Sequence, residues 1–253
     1  LLIQNPNFFG CLETNIHEVA AAVHAAGGLV IASSYPVALG MISPPGEYGA
    51  DIAVAEGQPL GLPLGYGGPY VGLFACKTEL IRKMPSRIVG QTVDRDGKRA
   101  FVLTLQAREQ HIRREKATSN ICTNQALCAL ASTIHMSLLG KEGLRELADL
   151  NFHKAHYAAG ELQKRGFAPV FQQPFFNEFT VRCPVSPEKI ADRLAEKRVL
   201  AGLPLGPYFK DRADQLVVCV TEIKTKADID EFAGLLVVVV DAGDVGGHQV
   251  RRE

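Results

Sequence analysis

The chain has 253 residues, enough for one large domain with a smaller companion or for part of a longer polypeptide. Its 27 Lys and Arg residues balance 27 Asp and Glu residues, so the formal net charge is zero. This balance removes the overall positive field that draws proteins to nucleic acids or anionic membranes, and we expect neither as a partner.

The first part of the chain has the pattern of a parallel sheet. Leu1 to Gln4 resembles the edge of a strand already in progress and, without an initial methionine, indicates an N-terminal truncation. A helix is expected at about residues 15–26, with Asn15 as its N-cap. Continuous apolar runs follow at residues 29–32 and 52–55, which is typical of strands buried on both faces.

A loop rich in glycine and proline occupies residues 57–72 and leads into a further predicted strand at residues 71–76. An extended element is expected at residues 100–105. A long and mostly buried helix is expected at residues 121–139, and Gly140 ends it.

Shorter alternating elements beyond Gly143 indicate a second domain of mixed α/β type. The expected elements are a helix at 144–164, strands at 178–181 and 216–220, a helix that starts at Ser186-Pro187-Glu188, and a helix at 229–236 with Thr225 and Asp228 as its capping pair. We therefore predict a large domain over residues 1–140, a small C-terminal α/β domain over 141–236 and a disordered tail over 237–253.

The cysteines and histidines point to no disulfide framework and no metal site. The six cysteines lie apart without a CxxC pair, which is typical of free thiols in a reducing cytosol, so we expect a cytoplasmic protein: Cys11, Cys76, Cys122, Cys128, Cys183 and Cys219. His153 and His156 have helical i, i+3 spacing, but no third ligand type clusters nearby. A solvated helix face is the better interpretation of that pair.

The most specific pattern in the chain is the stretch from Leu105 to Thr123, LQAREQHIRREKATSNICT. It resembles, nearly residue for residue, a signature of the glycine dehydrogenase (decarboxylating) family, the P-protein of the glycine cleavage system. The match extends to NPNFFG at residues 5–10, EGQPLG at 56–61, GGPY at 67–70 and RKMP at 82–85. Chance is a poor explanation for so many ordered matches.

This resemblance implies a fold and two related halves with different roles. Members of the family resemble fold-type I pyridoxal-phosphate (PLP) enzymes, with a large doubly wound α/β domain and a small C-terminal α/β domain. We expect the N-terminal part of the large domain to be missing from this sequence. The family combines two related halves, in one long chain or as separate subunits, and only one half carries PLP.

PLP chemistry needs a lysine amine for the Schiff base and a carboxylate beside the pyridine nitrogen. By the resemblance, the carboxylate belongs at the end of the strand that contains Ala32, where residues 31–35 hold no acid. The lysine belongs after the next strand, where Pro59 and its neighbours stand. Lys77 and Lys83 have a context typical of a surface helix and are poor anchors. We therefore expect no catalytic residue and no bound cofactor in this chain, as in the non-PLP alpha subunit, subunit 1.

The resemblance also implies partners. Subunit 1 would join a PLP-carrying beta subunit, subunit 2, in a heterotetramer and complete its active site. That site decarboxylates glycine and passes the aminomethyl group to the lipoylated H-protein, and the chain alone would be inactive. A stand-alone PLP-dependent decarboxylase-like enzyme that uses Lys77, a purely structural scaffold subunit and a fragment of a single-chain P-protein remain alternatives.

Cationic side chains in the signature are the candidates for contact with the partner's active site or with the H-protein. They lead to polar side chains at the predicted start of the 121–139 helix, where a helix N-terminus can hold a phosphate or carboxylate. The candidates are Arg108, His111, Arg113, Arg114, Lys116, Thr118, Ser119 and Asn120. The alternative is a structural ion network with Glu109 and Glu115.

Overall fold

The computed structural model describes residues 1–84, 88–106, 110–117 and 125–244. The first sheet consists of β1 (Leu2–Asn5), β2 (Ile31–Ser34), β3 (Ile52–Glu56) and β4 (Gly72–Cys76), which neighbour one another in that order. Strands β1, β2 and β3 are parallel, as expected. Strand β4 is antiparallel to β3, because the chain returns to the sheet through a loop without a crossover helix.

Helix α1 (Ile16–Ala25) connects β1 to β2 and packs on the first sheet. Asn15 occupies the N-cap position as predicted, although its side chain makes no capping hydrogen bond. Ile16 and Ala20 of the helix share a buried cluster with Ala32 of β2. One apolar face of a short helix is therefore enough to cover the centre of the parallel strands.

A hairpin of β5 (Ile88–Val93) and β6 (Arg99–Thr104) forms a separate two-stranded sheet, of which the sequence predicted only the second strand. Its apolar side chains lie largely in solvent, with Val89 59% and Phe101 64% exposed. An isolated hairpin is marginally stable in water, so this one is suited to packing on another surface. The short helix α2 (Gln110–Arg113) follows it.

Helix α3 (Ala126–Gln163) is interrupted at Gly140, whose φ of 61° and ψ of −170° are not helical. The predicted break at Gly140 is therefore confirmed. The prediction of a mostly buried helix before that glycine is wrong for the described residues, since Leu127, Leu130 and Leu138 are 79%, 56% and 82% exposed. The apolar periodicity is real, but the face it creates points away from the rest of the described chain.

The second sheet contains β7 (Ala168–Pro169), β8 (Glu178–Arg182), β9 (Leu203–Pro204) and β10 (Gln215–Cys219) in the order β7-β8-β10-β9, with all pairs antiparallel. Helix α4 (Pro187–Glu196) connects β8 to β9, and helix α5 (Lys226–Asp244) follows β10. The second half of α3 packs with them on one face of this sheet around a large buried core. Both strands predicted from the apolar patterns are confirmed.

The capping signals are confirmed at both helix starts. The Ser186 hydroxyl accepts a hydrogen bond from the Lys189 N–H at 3.4 Å. The Thr225 N–H donates to the Asp228 carboxylate at 2.8 Å, and the Asp228 N–H donates to the Thr225 hydroxyl at 3.1 Å. Helix α5 continues through Asp244, so the predicted tail began too early, and residues 245–253 lie outside the described residues. Within the described ranges, no helix is long and apolar enough to cross a lipid bilayer.

Candidate functional site

The carboxyl ends of β1, β2 and β3 meet at one edge of the first sheet. In open α/β sheets, ligands bind in the crevice outside this edge. The loops that start here are residues 5–10 after β1, residues 35–40 after β2 and residues 57–61 after β3. We call this edge the carboxyl edge and the opposite one the amino edge.

The loop after β1, NPNFFG, is held by its own asparagines. The Asn7 side-chain oxygen accepts hydrogen bonds from the N–H groups of Phe9 at 2.9 Å and Cys11 at 3.1 Å. Gly10 has a φ of 89°, and a Cβ there would lie 2.1 Å from the Glu178 carbonyl oxygen. Glycine is therefore required where the loop crosses β8, for both the conformation and the close approach.

The same loop joins the two sheets. The Thr180 hydroxyl on β8 donates a hydrogen bond to the Phe9 carbonyl at 2.9 Å. The Phe9 ring lies 5.5 Å from the Phe171 ring and 5.4 Å from the Phe209 ring, and the Arg212 guanidinium sits 4.7 Å from the Phe9 ring centre. The loop after β1 is thus a fixed contact between two units. The first unit is the first sheet with α1, and the second unit is the second sheet with α4, α5 and the second half of α3.

The end of β2 presents hydroxyl groups and no acid. Ala32 lies inside the strand, is completely buried, and pairs with Ile3 and Ala53. The Ser34 side chain hydrogen-bonds with the Tyr48 hydroxyl, and burial raises the pKa of that phenol while Ser34 partly offsets the rise. Position 32 is therefore a core position.

The loop after β3 is a tight turn that contains Pro59. A Cβ at Gly57 would lie 2.6 Å from a Val71 methyl carbon, and one at Gly61 would lie 2.6 Å from the His135 side chain on α3. The Leu60 N–H donates to the Gly57 carbonyl at 2.9 Å. The turn is closely packed between β4 and α3, and it supplies no amine.

Acidic and amide side chains face the end of β2 from the second unit. Asn151, completely buried on α3, donates hydrogen bonds to the Glu222 carboxylate at 3.0 Å and to the Leu147 carbonyl at 2.8 Å. The Lys154 ammonium donates to the Glu222 carbonyl. Burial, followed by the negative charges of Cys219, Glu222 and Glu178, raises the pKa of Tyr35. Sequence reasoning missed this group because its members come from distant segments.

A second polar cluster lies at the amino edge, around Asp51. This carboxylate is buried, with 4% exposure, and accepts hydrogen bonds from Lys77 Nζ at 2.6 Å and from the Val30 N–H at 2.8 Å; His24 Nε2 lies at 2.9 Å. Burial alone would raise the pKa of Asp51, but the hydrogen bonds from Lys77, Val30 and His24 lower it well below its usual range. The Lys77 side chain is 39% exposed, as expected for a surface lysine, but its ammonium also neutralises the buried Asp51 carboxylate, a contact that the sequence did not indicate.

The structure describes only part of the cationic candidate set. His111 and Arg113 lie on α2, Arg114 and Lys116 lie on the 3-10 turn that follows, and all four side chains are exposed. Arg108, Thr118, Ser119 and Asn120 lie outside the described residues, as do Glu109 of the alternative ion network and the predicted helix start at residue 121.

The two histidines on α3 have separate environments. His153 lies 3.3 Å from the exposed carboxylate of Asp149. The His156 ring stacks on Phe175 at 4.0 Å, its Nε2 lies 3.1 Å from the Phe175 carbonyl oxygen, and burial lowers its pKa. No group of three or more metal-ligating side chains occurs in the described ranges.

Comparison with known proteins places this geometry in a family. A family model described as glycine cleavage system P-protein matches residues 1–236. The chain belongs to this family. The expectation from the signature is thereby confirmed.

The P-protein relatives are about twice as long as this chain. The probable glycine dehydrogenase (decarboxylating) subunit 1 of Desulfitobacterium hafniense is 55% identical over 233 residues, which are 92% of this chain and 52% of the relative. The protein of the same name from Moorella thermoacetica is 54% identical over 237 residues, 93% of this chain and 53% of the relative. The chain therefore spans about half the length of the curated relatives it matches.

Solved structures show the fold. An inhibitor-bound glycine decarboxylase (P-protein) of the glycine cleavage system has a TM-score of 0.88 at 43% identity, over 94% of this chain and 54% of that structure. An aspartate aminotransferase from Thermus thermophilus has a TM-score of 0.63 at 17% identity, over 96% of this chain and 64% of that structure, and is alike in fold alone. The fold is α/β of the fold-type I PLP-transferase class, as expected.

The described carboxyl edge of this P-protein chain does not fit PLP. A lysine amine is missing from the turn that contains Pro59, and glycine positions packed against Val71 and His135 leave that turn little room for longer side chains. The end of β2 offers Ser34 and Tyr35, neither of which supplies the carboxylate that a pyridinium nitrogen needs.

Proposed function

We propose that this chain is part of the non-PLP subunit of the glycine decarboxylase of the glycine cleavage system, and that it completes the active site of a companion subunit that carries PLP. The proposal rests on the side chains at the carboxyl edge of the first sheet. Its loops keep the glycine-dependent close packing at Gly10, Gly57 and Gly61, yet the positions for the amine and the acid hold other residues. The name subunit 1 of its relatives supports a companion chain.

An exposed apolar surface supports the companion subunit. On α3, Leu127, Leu130, Ile134 and Leu138 recur at helical spacing and are between 52% and 82% exposed. The hairpin of β5 and β6 adds further exposed apolar side chains such as Phe101. Contiguous apolar surface on a folded protein marks an interaction site. We propose that the companion subunit covers this surface, with the substrate glycine and the lipoylated H-protein approaching the shared site.

The cationic segment is proposed to face that shared site. Arg114 and Lys116 are exposed, and the Arg114 backbone has a φ of 55°. A left-handed conformation is unfavourable for a non-glycine residue, and strained residues of this kind cluster at active sites and ligand-binding positions. The carboxylate of glycine would present complementary negative charge to such a segment.

Coexpression with the lysine-bearing companion tests the proposal. We expect the two chains to copurify, and the isolated chain to give no aldimine absorbance band with PLP and no glycine decarboxylation. The assembled complex should give both the aldimine absorbance band and glycine decarboxylation. A band on the isolated chain that borohydride removes would establish the stand-alone PLP enzyme and refute the proposal.

Charge reversal distinguishes a subunit that supplies residues to the active site from one that only supports its companion. Arg114→Glu should lower glycine decarboxylation by the assembled complex at least tenfold while copurification persists, since one charge at an active site contributes about 1.4 kcal/mol or more. Lys197→Glu, at an exposed position just past α4, is the matched control. If both variants retain full activity, the subunit is a scaffold at this segment.

A further inference from the structure

A cavity of about 620 Å³ lies between the first strand and the second sheet. Its lining includes Gln4 and Phe8 from the first unit and Glu178, Leu200, Leu203 and Cys219 from the second. Small-molecule sites occur preferentially at boundaries of this kind between domains. The described residues of the cationic segment and the turn at Pro59 do not contribute to this lining.

The pleat of the second sheet determines what faces the cavity. Side chains alternate along a strand, and Phe179 and Val181 of β8 enter the core on one face. Glu178 and Thr180 consequently point to the other face, towards the first unit. The register places Cys219 of β10 directly opposite Glu178, and the thiol and the carboxyl group hydrogen-bond with each other.

Glu178 is the only charged side chain in the described lining, and it is half-buried. Burial raises the pKa of its carboxyl group, and the hydrogen bond with Cys219 partly offsets that rise. Among the described residues, no lysine or arginine forms an ion pair with it. A carboxylate in mostly apolar surroundings is stabilised by a cation that forms a charge-assisted hydrogen bond with it.

We propose that this cavity binds a small primary amine, with the ammonium group on the Glu178 carboxylate and a short apolar body against Phe8 and Leu203. The exposed ring of Phe8 also favours a cation, through its π face. An α-amino acid is a poor ligand, because its own carboxylate would lie close to Glu178. The test of this site does not depend on the proposed function.

The probe is n-butylamine, titrated into the purified complex with the companion subunit and followed by calorimetry. Its uncharged and anionic counterparts, n-butanol and butyrate, have similar length and serve as ligand controls. We expect saturable binding of the amine and at least tenfold weaker binding of both controls. The affinity should fall as the pH is lowered through the raised pKa of Glu178, because only the carboxylate pairs with an ammonium group.

Two variants locate the site. Glu178→Gln keeps the side-chain shape and should weaken n-butylamine binding about tenfold or more, as expected for a lost charge-assisted hydrogen bond. Glu196→Gln, at an exposed carboxylate outside the lining, is its control. Leu200→Arg adds a cation at the cavity mouth on a side chain that is 93% exposed, so the fold is preserved and amine binding should fall. Ile223→Arg, 71% exposed and outside the lining, should leave it unchanged.

Several results would overturn the proposal. These are the absence of saturable n-butylamine binding, equal binding of n-butanol, or an affinity that survives both Glu178→Gln and Leu200→Arg. Each result can occur while the complex still decarboxylates glycine, so failure here is distinguishable from failure of the proposed function.

Discussion

Replacing Asp51 by asparagine tests the importance of the amino-edge cluster. The change is nearly isosteric, and an amide oxygen can still accept the Val30 N–H bond that measures 2.8 Å. The charge opposite Lys77, however, is lost from a contact of 2.6 Å, and the new NH₂ group faces the Lys77 ammonium, which is also a donor. Lys77 then keeps a partly desolvated ammonium group without its counter-charge.

The magnitude follows from the geometry. Hydrogen bonds to charged groups each contribute about 1.5–3 kcal/mol when buried. The Lys77 and His24 side chains are 39% and 35% exposed, so solvent screens both contacts and reduces their contributions. We therefore expect Asp51→Asn to lower the free energy of unfolding by about 2–3 kcal/mol at neutral pH, less than the 3–5 kcal/mol typical of a fully buried pair.

The pH dependence has a definite sign. The folded-state pKa of Asp51 is depressed, so its contribution is fully present above the unfolded pKa of about 3.9 and is lost as the pH falls towards the folded value. Urea unfolding at neutral pH and at a series of acidic pH values should show the parent and Asp51→Asn converging below about pH 4.

Asp214→Asn is the matched control for this experiment. Its carboxylate pairs with Arg182 at 2.8 Å, but both side chains are at least half exposed. A surface pair of this kind contributes under about 1 kcal/mol. If Asp51→Asn destabilises the protein no more than Asp214→Asn does, the buried cluster does not stabilise the sheet as argued.

Three further predictions concern the loop, a helix cap and the exposed face of α3. Gly10→Ala should lower the free energy of unfolding by more than about 2 kcal/mol in thermal unfolding, because a clash with β8 adds to the unfavourable φ. Gly97→Ala is the control: its φ is 77°, but a Cβ there would meet no other atom, so the free energy of unfolding should fall by only about 1 kcal/mol. Ser186→Ala should lower the unfolding free energy by about 1 kcal/mol through the lost cap of α4, and an unchanged value would contradict the cap. Leu138→Glu should leave the stability of the isolated chain within about 0.5 kcal/mol of the parent, yet weaken copurification with the companion; tight assembly would show that this face is not the interface.

Local features could be predicted from the sequence, and long-range ones could not. The capping residues Ser186 and Thr225, and the break at Gly140, depend on neighbours in the chain, and all three predictions hold. The Asp51 cluster joins residues 26 positions apart through the register of the sheet, so a lysine near a predicted surface helix gave no sign of its partner. The cavity carboxylate Glu178 was equally hidden, because strand alternation alone does not tell which face meets another unit.

The error for the first half of α3 has a different origin. Its apolar periodicity predicts burial, and Leu127 and Leu138 are nevertheless exposed in the described chain. Periodicity records that a face is apolar and carries no information about which molecule covers it. The sequence signal and the exposure are compatible if the covering surface belongs to another part of the assembly, which is the arrangement we propose for the companion subunit.

Both edges of the first sheet support the proposed division of roles between this chain and the companion subunit. The amino edge is internally satisfied, since the buried Asp51 carboxylate has its partners within the chain. The carboxyl edge keeps loop packing at Gly10 and Gly61 that tolerates no Cβ, although Pro59 stands where the resemblance places a lysine. Restoring only that lysine would still leave the end of β2 without an acid. The loops therefore have a demanding geometry without the amine and acid that PLP needs, which supports our proposal that they help to present a surface to another chain.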